Sequence, residues 1–80
     1  MTADDIRVLI EQGLPGARVF VRGDDGVHFE AEVAAPDFEG KGTVAQHRAV
    51  YAALGTRMGR EIHALALKTY TPAQWAAKGG

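Results

Sequence analysis

Three histidines are the side chains best suited to bind a metal in this chain. His28 follows a predicted turn, His63 lies at the start of a predicted strand, and His47 falls within a predicted helix. Imidazole nitrogens suit zinc, copper and iron. The chain has no cysteine, which excludes disulfides and any self-contained Cys-ligated zinc or iron–sulfur site. A thiolate ligand would therefore have to come from a partner.

Basic residues in the second half of the chain form the other candidate site. Residues 1–40 hold three bases and nine acids, whereas residues 41–70 hold five bases and one acid. The sequence alone leaves open a phosphate-binding surface, a surface for an acidic partner, or a merely solvated face. The pI of about 6.3 lacks the usual basic signature of a nucleic-acid-binding domain. The five basic residues within 41–70 are Lys41, Arg48, Arg57, Arg60 and Lys68.

Catalysis has no support in the sequence. The threonines fit helix caps or strand positions and lack the context of a nucleophile elbow. A domain of 80 residues buries too little surface to enclose a deep substrate cavity easily. We therefore expect a binding domain rather than an enzyme.

The first half of the chain predicts a helix followed by a β-hairpin. Thr2 and Asp5 form a capping-box pattern that opens a helix over residues 3–12. Alternating apolar residues then predict strands over 17–22 and 27–33, joined by an Asp-Gly turn.

The second half predicts a crossover helix, a third strand and a short final helix. Thr43 and Gln46 form a second capping-box pattern for a helix that ends near Gly55, and a turn over 56–59 precedes a strand over 62–70. The third pattern, Thr71 and Gln74, opens the helix in which Trp75 packs on the sheet. The inner face of the crossover helix is predicted to hold Val44, His47, Val50, Tyr51 and Leu54, which favours a structural role for His47 over metal binding.

These elements predict an α+β fold of order αββααβα, as one domain over residues 1–80 with a loose tail at about 77–80. The hairpin makes the first two strands antiparallel, and the helical crossover makes the second and third parallel. The result is a mixed three-stranded sheet packed by helices. Neighbouring parallel strands have their N-terminal ends side by side, so His28 and His63, at the starts of the second and third strands, could reach one metal centre. The alternative is that both are ordinary strand residues.

The segment HFEAEVAAPDFEGKGTVAQHRAVYAALG, followed by REIHALALKTYTPAQW, resembles the BolA-like proteins. The match is most specific at four ordered motifs, which are residues 38–41, 46–48, 62–65 and 71–75. The resemblance implies a class II KH-like fold without catalytic activity. It also implies association with monothiol glutaredoxins, sometimes with a shared [2Fe–2S] cluster, and DNA binding in transcriptional control for some members.

The resemblance further implies that His63 is a cluster ligand and that a second ligand comes from the hairpin region, where this chain has His28. Two imidazoles would leave two of the four terminal ligand positions of a [2Fe–2S] cluster unfilled. A glutaredoxin cysteine and glutathione would fill these two positions. The isolated chain is then expected to hold no metal tightly. KH domains grip nucleic acid with a GxxG loop, but this chain has Gly40-Lys41-Gly42, which argues against RNA binding in that manner.

The leading expectation is thus a cytoplasmic regulator of iron–sulfur, redox or stress responses that works through a monothiol glutaredoxin. The alternative is a DNA-binding transcriptional regulator that uses the basic segment 41–68, with the helix beginning near Thr43 in a helix-turn-helix-like role. Acids near the N-terminus, where a signal peptide would carry bases, and short apolar runs predict no membrane association. The free protein is expected to be a monomer or a weak dimer.

Overall fold

The computed structural model describes residues 1–79 and contains three helices and three strands. In chain order these are α1 (Ala3–Gly13), β1 (Arg18–Arg22), β2 (His28–Ala34), α2 (Thr43–Leu54), β3 (Ala64–Tyr70) and α3 (Pro72–Ala77). Short 3-10 turns at Pro36–Phe38 and Gly55–Arg57 flank α2. The α+β class and the order αββααβα are confirmed, with the turn at Gly55–Arg57 as the short second member of the central helical pair. None of the helices in residues 1–79 has the length and apolar character needed to cross a membrane.

The sheet has the order β1-β2-β3, with β1 and β2 antiparallel and β2 and β3 parallel, as predicted. The β1–β2 turn contains Gly26, whose φ of 75° lies in the left-handed region that favours glycine. Strand β3 begins at Ala64, later than expected, because Ile62 forms an isolated bridge with Met58 and is fully buried in the core. Strands β1 and β2 each begin one residue later than predicted.

One face of the sheet packs against α1 and α2 to form the core. Alternate residues of a strand point to opposite faces, so Val19, Phe29 and Val33 face the helices. The Thr2–Asp5 capping box that starts α1 is confirmed by reciprocal hydrogen bonds of 2.9 and 3.1 Å. The buried core cluster comprises Ile6, Ile10, Leu14, Val19, Phe29, Val33, Ala35, Phe38, Val50, Leu54 and Ile62.

Gln46 is the buried polar residue that ties α2 to the rest of the fold. Its Nε2 donates to the carbonyl oxygen of Lys41 at 2.8 Å and to that of Phe38 at 3.4 Å. Its Oε1 accepts a 2.7 Å hydrogen bond from the Thr69 hydroxyl on β3. One side chain therefore joins the loop before α2, the helix itself and an edge strand of the sheet.

The predicted capping box of Thr43 and Gln46 is wrong. The N-cap of α2 is Gly42, and no side chain caps the helix. Thr43 is already the first helical residue, and the Gln46 amide is committed to tertiary hydrogen bonds. A local sequence pattern was overridden here by a contact between distant segments.

The predicted inner face of α2 is correct for Val50 and Leu54, which are fully buried, but wrong for three other residues. Val44 is 65% exposed and Tyr51 is 38% exposed. His47 is half-buried on the same outward stripe, where its ring meets the Tyr51 ring edge to face at 6.4 Å. The buried stripe instead runs at four-residue spacing through Gln46, Val50 and Leu54.

Helix α3 lies on the other face of the sheet, where Trp75 holds it as predicted. The buried indole stacks on Phe20 of β1 with centroids 5.5 Å apart, and it meets Tyr70 of β3 edge to face at 5.4 Å. The Thr71–Gln74 capping box at the start of α3 is also confirmed.

The tail expected at about 77–80 falls partly inside this packing. Ala77 is the last residue of α3, and the Lys78 amide donates to the Gln74 carbonyl at 3.2 Å. The Lys78 ammonium lies 4.5 Å from the Trp75 ring centroid. Gly80 lies outside the described residues.

Replacing Gln46 with alanine should destabilise the fold by about 2 to 3 kcal/mol, because the Thr69 hydroxyl and two loop carbonyls lose their partner in a buried setting. Urea unfolding followed by circular dichroism measures this change. Gln12→Ala, at an exposed position of α1, is the matched control and should change stability by less than about 0.5 kcal/mol. Equal stability of the two variants would contradict the role assigned to Gln46.

Candidate functional site

His28 stands at the hairpin end of β2, where Asp25 fixes both its backbone and its ring. One carboxylate oxygen of Asp25 accepts the amides of Val27 and His28, each at 2.8 Å. The other oxygen lies 2.8 Å from Nδ1 of the His28 ring. An aspartate that accepts backbone N–H groups two and three residues ahead is a common turn-forming arrangement. The hairpin thus orients the imidazole as it forms.

These bonds also decide which ring nitrogen of His28 carries the proton. The hydrogen bond from the His28 side chain, followed by those from the backbone amides of His28 and Val27, holds the pKa of Asp25 well below its usual value. The carboxylate is therefore ionised at neutral pH and only accepts hydrogen bonds. Nδ1 must then carry the proton, so in the neutral ring Nε2 keeps its lone pair. Histidines that bind metals almost always donate their other ring N–H to a carboxylate, a backbone carbonyl or water, and Asp25 is such a carboxylate.

His63 lies immediately before β3 and is exposed. The parallel register pairs Ala64 with His28, and the Ala64 amide donates to the Val27 carbonyl at 3.3 Å. His28 and His63 therefore sit at like ends of neighbouring strands, as predicted. That they bind one metal centre stays a prediction. Within residues 1–79, no group of three or more histidine, aspartate or glutamate side chains is arranged to hold a metal ion.

An open groove of about 640 Å³ lies beside His28 on the outer face of the sheet, the face that carries α3. Ala64 and Ala66 lie along its β3 side, and their small side chains leave the space unfilled. Arg22 of β1 and Glu30 of β2 also line the groove, where they form an exposed ion pair of 2.7 Å. The groove has room for a ligand bound to the His28 ring.

The basic residues are not gathered on one surface. Lys68 alternates along β3 with Thr69, whose hydroxyl bonds to Gln46 of α2, so Lys68 projects from the opposite face. Arg48 is exposed on α2, while the Lys41 ammonium donates to the Asp37 carbonyl at 2.9 Å in the preceding loop. The remaining two, Arg57 and Arg60, are exposed in the connection between α2 and β3.

Sequence reasoning missed Asp25 as the partner of His28. The signal was present as an aspartate three residues before the histidine, within the same turn that predicted the hairpin. It also assigned no surface role to Phe20, which is 59% exposed on the outer face. Alternation along β1 places this aromatic residue away from the core, on the same side as Arg18 and Arg22.

Comparison with known proteins identifies close relatives. Residues 13–74 match the family model described as BolA-like protein. Human BolA-like protein 1 is 35% identical over 79 residues, an alignment that covers 88% of this chain and 58% of that protein. This chain thus spans little more than half the length of its human relative. The structure of a BolA protein homologue from Coxiella burnetii superposes with a TM-score of 0.85 at 51% identity, covering 95% of this chain and 97% of that one.

Two further relatives carry names that describe a role. The acid stress protein IbaG of Escherichia coli K12 is 34% identical over 77 residues, which cover 95% of this chain and 90% of that protein. The DNA-binding transcriptional regulator BolA of Haemophilus influenzae is 35% identical over 51 residues, which cover 64% of this chain and 50% of that protein. One name refers to acid stress and the other to transcriptional regulation, and neither names an enzymatic activity.

The Asp25 carboxylate should contribute to stability in a pH-dependent way. Its folded-state pKa lies below the ordinary value of 3.8, so its contribution is present above that pH and is lost as the pH falls through the folded value. Asp25→Ala should therefore lower the urea midpoint at pH 7, and the gap from the natural protein should narrow below about pH 3.8. Urea titrations at a series of pH values measure the gap. Asp24→Ala is the neighbouring control, and an equal, pH-independent effect of both variants would refute this account.

Proposed function

Because this chain belongs to the BolA-like protein family, we propose that it is a regulatory binding domain that joins a monothiol glutaredoxin and shares a [2Fe–2S] cluster with it. His63 and His28 would supply the chain's ligands to that cluster. The observation that carries the proposal is the fixed His28 ring, whose Nε2 keeps its lone pair while Asp25 holds Nδ1. His63 is exposed at the like end of the adjacent strand.

The donor chemistry of this end of the sheet fits half of such a cluster. Imidazole binds iron, and histidine replaces two cysteines at one iron of Rieske-type [2Fe–2S] centres. The sequence contains no cysteine, so two thiolates must come from outside, and a glutaredoxin cysteine with glutathione supplies that number. The groove beside His28 leaves space for these groups, since alanines line its β3 side.

A cluster held in this way exists only in the complex. Two imidazoles without a third ligand bind iron or zinc weakly, so the chain alone does not retain the metal. When bound, the cluster supplies a one-electron centre whose reduction potential is raised by imidazole ligation. The cluster therefore makes the association of the two proteins depend on iron and redox state, which suits a regulator of iron–sulfur or stress responses.

DNA binding is the second candidate function, and two observations favour it. One relative is named a DNA-binding transcriptional regulator. In addition, α2 contains no acidic residue and presents Arg48 on its exposed side, with Lys41 in the loop just before it. A basic helix surface free of carboxylates suits contact with phosphates. Lys68 does not belong to this surface, because it projects from the other face of the sheet.

His63→Ala should abolish or strongly destabilise the cluster-bridged complex with a monothiol glutaredoxin and leave the fold intact, because His63 is exposed and outside the core. The complex is reconstituted without oxygen from iron, sulfide and glutathione. Visible absorption and circular dichroism then follow the cluster, and size-exclusion chromatography follows the complex. His47→Ala is the matched control, since this histidine lies on α2 and should not affect cluster lifetime. An unchanged spectrum and lifetime in the His63→Ala complex would refute the ligand assignment.

If α2 binds DNA, the affinity should fall steeply with salt, and neutralising Lys41 and Arg48 together should reduce the slope of log K against log salt by about 2. Fluorescence anisotropy with a labelled duplex measures this slope. Lys68→Ala removes the same charge from the opposite face and should leave the slope unchanged. Salt-insensitive binding, or an equal effect of Lys68→Ala, would rule out α2 as the DNA surface.

A further inference from the structure

An exposed aromatic ring stands at the centre of β1, between two arginines. Phe20 occupies the middle of the sequence Arg-Val-Phe-Val-Arg, and alternation places Arg18 and Arg22 on the same outer face. The ring is well exposed, although it lies on a strand of the sheet. Residues two apart on a strand are separated by about 6.8 Å, so a positive charge lies within reach on each side of the ring.

The Phe20 ring packs against other aromatic rings on one side. One side stacks on Trp75 with an interplanar angle of 17°, and Trp75 is in turn held by Tyr70 and by the Lys78 ammonium. Phe20 also lines an open depression of about 220 Å³ together with Arg22, Glu30 and Glu32, and Trp75 is not part of this lining. One side of the Phe20 ring is thus covered by Trp75, and the ring also borders solvent-accessible space.

Positive charge predominates around this ring. On the three strands and in residues 72–78, four cations project on this side of the sheet against two carboxylates, and both carboxylates have cationic partners; Asp24 and Asp25 lie beyond Arg22, in the hairpin turn. Glu30 pairs with Arg22 at 2.7 Å. Glu32 lies 3.5 Å from the Lys78 ammonium and accepts the Tyr70 hydroxyl at 3.1 Å. Arg18 forms no ion pair with any residue in 1–79. The four cations are Arg18, Arg22, Lys68 and Lys78.

We propose that the outer face of the sheet around Phe20 binds single-stranded nucleic acid, with one base stacked on Phe20 and the neighbouring phosphates on Arg18 and Arg22. A flat, exposed ring flanked by cations suits a ligand that alternates aromatic bases with negative charges. Arg22 retains free N–H groups for a phosphate, because only its Nε is used by Glu30. In a duplex the base faces are stacked on one another, so the ligand must be single-stranded.

This surface is separate from both candidate sites above. It faces away from α2, which packs on the other side of the sheet, and its central ring lies toward α3, although Arg22 at its edge also lines the groove beside His28. The proposal therefore does not rest on the glutaredoxin association or on DNA binding through α2. Its failure would leave both of those functions untouched.

The test is binding of the full chain to a fluorescein-labelled oligothymidylate of about ten nucleotides at low salt. Phe20→Ala should weaken binding about tenfold or more, and Phe20→Tyr, which keeps a flat ring, should restore it. Replacing Arg18 and Arg22 by alanine should also flatten the salt dependence. Trp75 is the only tryptophan and contacts Phe20, so binding should change its fluorescence.

Matched controls lie on the other side of the molecule. Tyr51→Ala removes an exposed aromatic ring from α2, and Arg7→Ala removes a charge from α1, and both helices pack on the inner face of the sheet. Neither should change oligothymidylate affinity by more than about twofold. Absence of binding at low salt, unchanged affinity in Phe20→Ala, or an equal loss in Tyr51→Ala would overturn the proposal. Preferential binding of the matched duplex over the single strand would overturn it as well.

Discussion

The buried amide of Gln46 is the contact that sets the relative positions of the main parts of this fold. It bonds at once to the loop after β2 and to the Thr69 hydroxyl on β3, while its own backbone belongs to α2. Burying an amide is unfavourable unless its hydrogen bonds are made, and here both ends of the side chain are satisfied. A shift of α2 relative to the sheet would break these bonds. The helix therefore has one packing position, which the surrounding apolar core alone would specify less sharply.

That fixed crossover determines where the candidate sites lie. A helix between β2 and β3 makes the strands parallel, which brings His28 and His63 to one end of the sheet. Helices α1 and α2 cover the inner face, and the six-residue α3 covers only one end of the outer face. Residues 1–79 contain no further helix or strand that covers the rest of this face. The outer face thus retains an open groove beside His28 and an exposed ring at Phe20.

The order of helices and strands and the directions of the strands could be predicted from the sequence, because they depend on local patterns and on the connections between elements. Prediction failed where a distant segment forms a hydrogen bond with a side chain that the local pattern assigns to a helix cap. The patterns Thr2–Asp5 and Thr71–Gln74 form capping boxes, because their side chains are not hydrogen-bonded to distant segments instead. The third pattern, Thr43–Gln46, does not form a capping box, because the Gln46 amide is hydrogen-bonded to Thr69 and to the loop before α2. The exposed stripe of Val44, His47 and Tyr51 has the same helical spacing as a buried one, so periodicity could not distinguish them. Likewise, chain position could not show that Lys68 faces away from Arg48.

The two histidines proposed as ligands are prepared to different degrees. The His28 ring is oriented by Asp25 within the hairpin itself, and the same bond puts the proton on Nδ1, which leaves Nε2 available for the proposed iron. His63 has no hydrogen bond to its ring within residues 1–79 and lies just outside β3. Ordering a free side chain costs about 0.5 to 1.5 kcal/mol on binding, whereas a preoriented one has lost that freedom during folding. In the proposed complex, partner association would therefore have to order His63, whereas the hairpin has already ordered His28. Of the two proposed ligands, His63 would then depend more on formation of the complex.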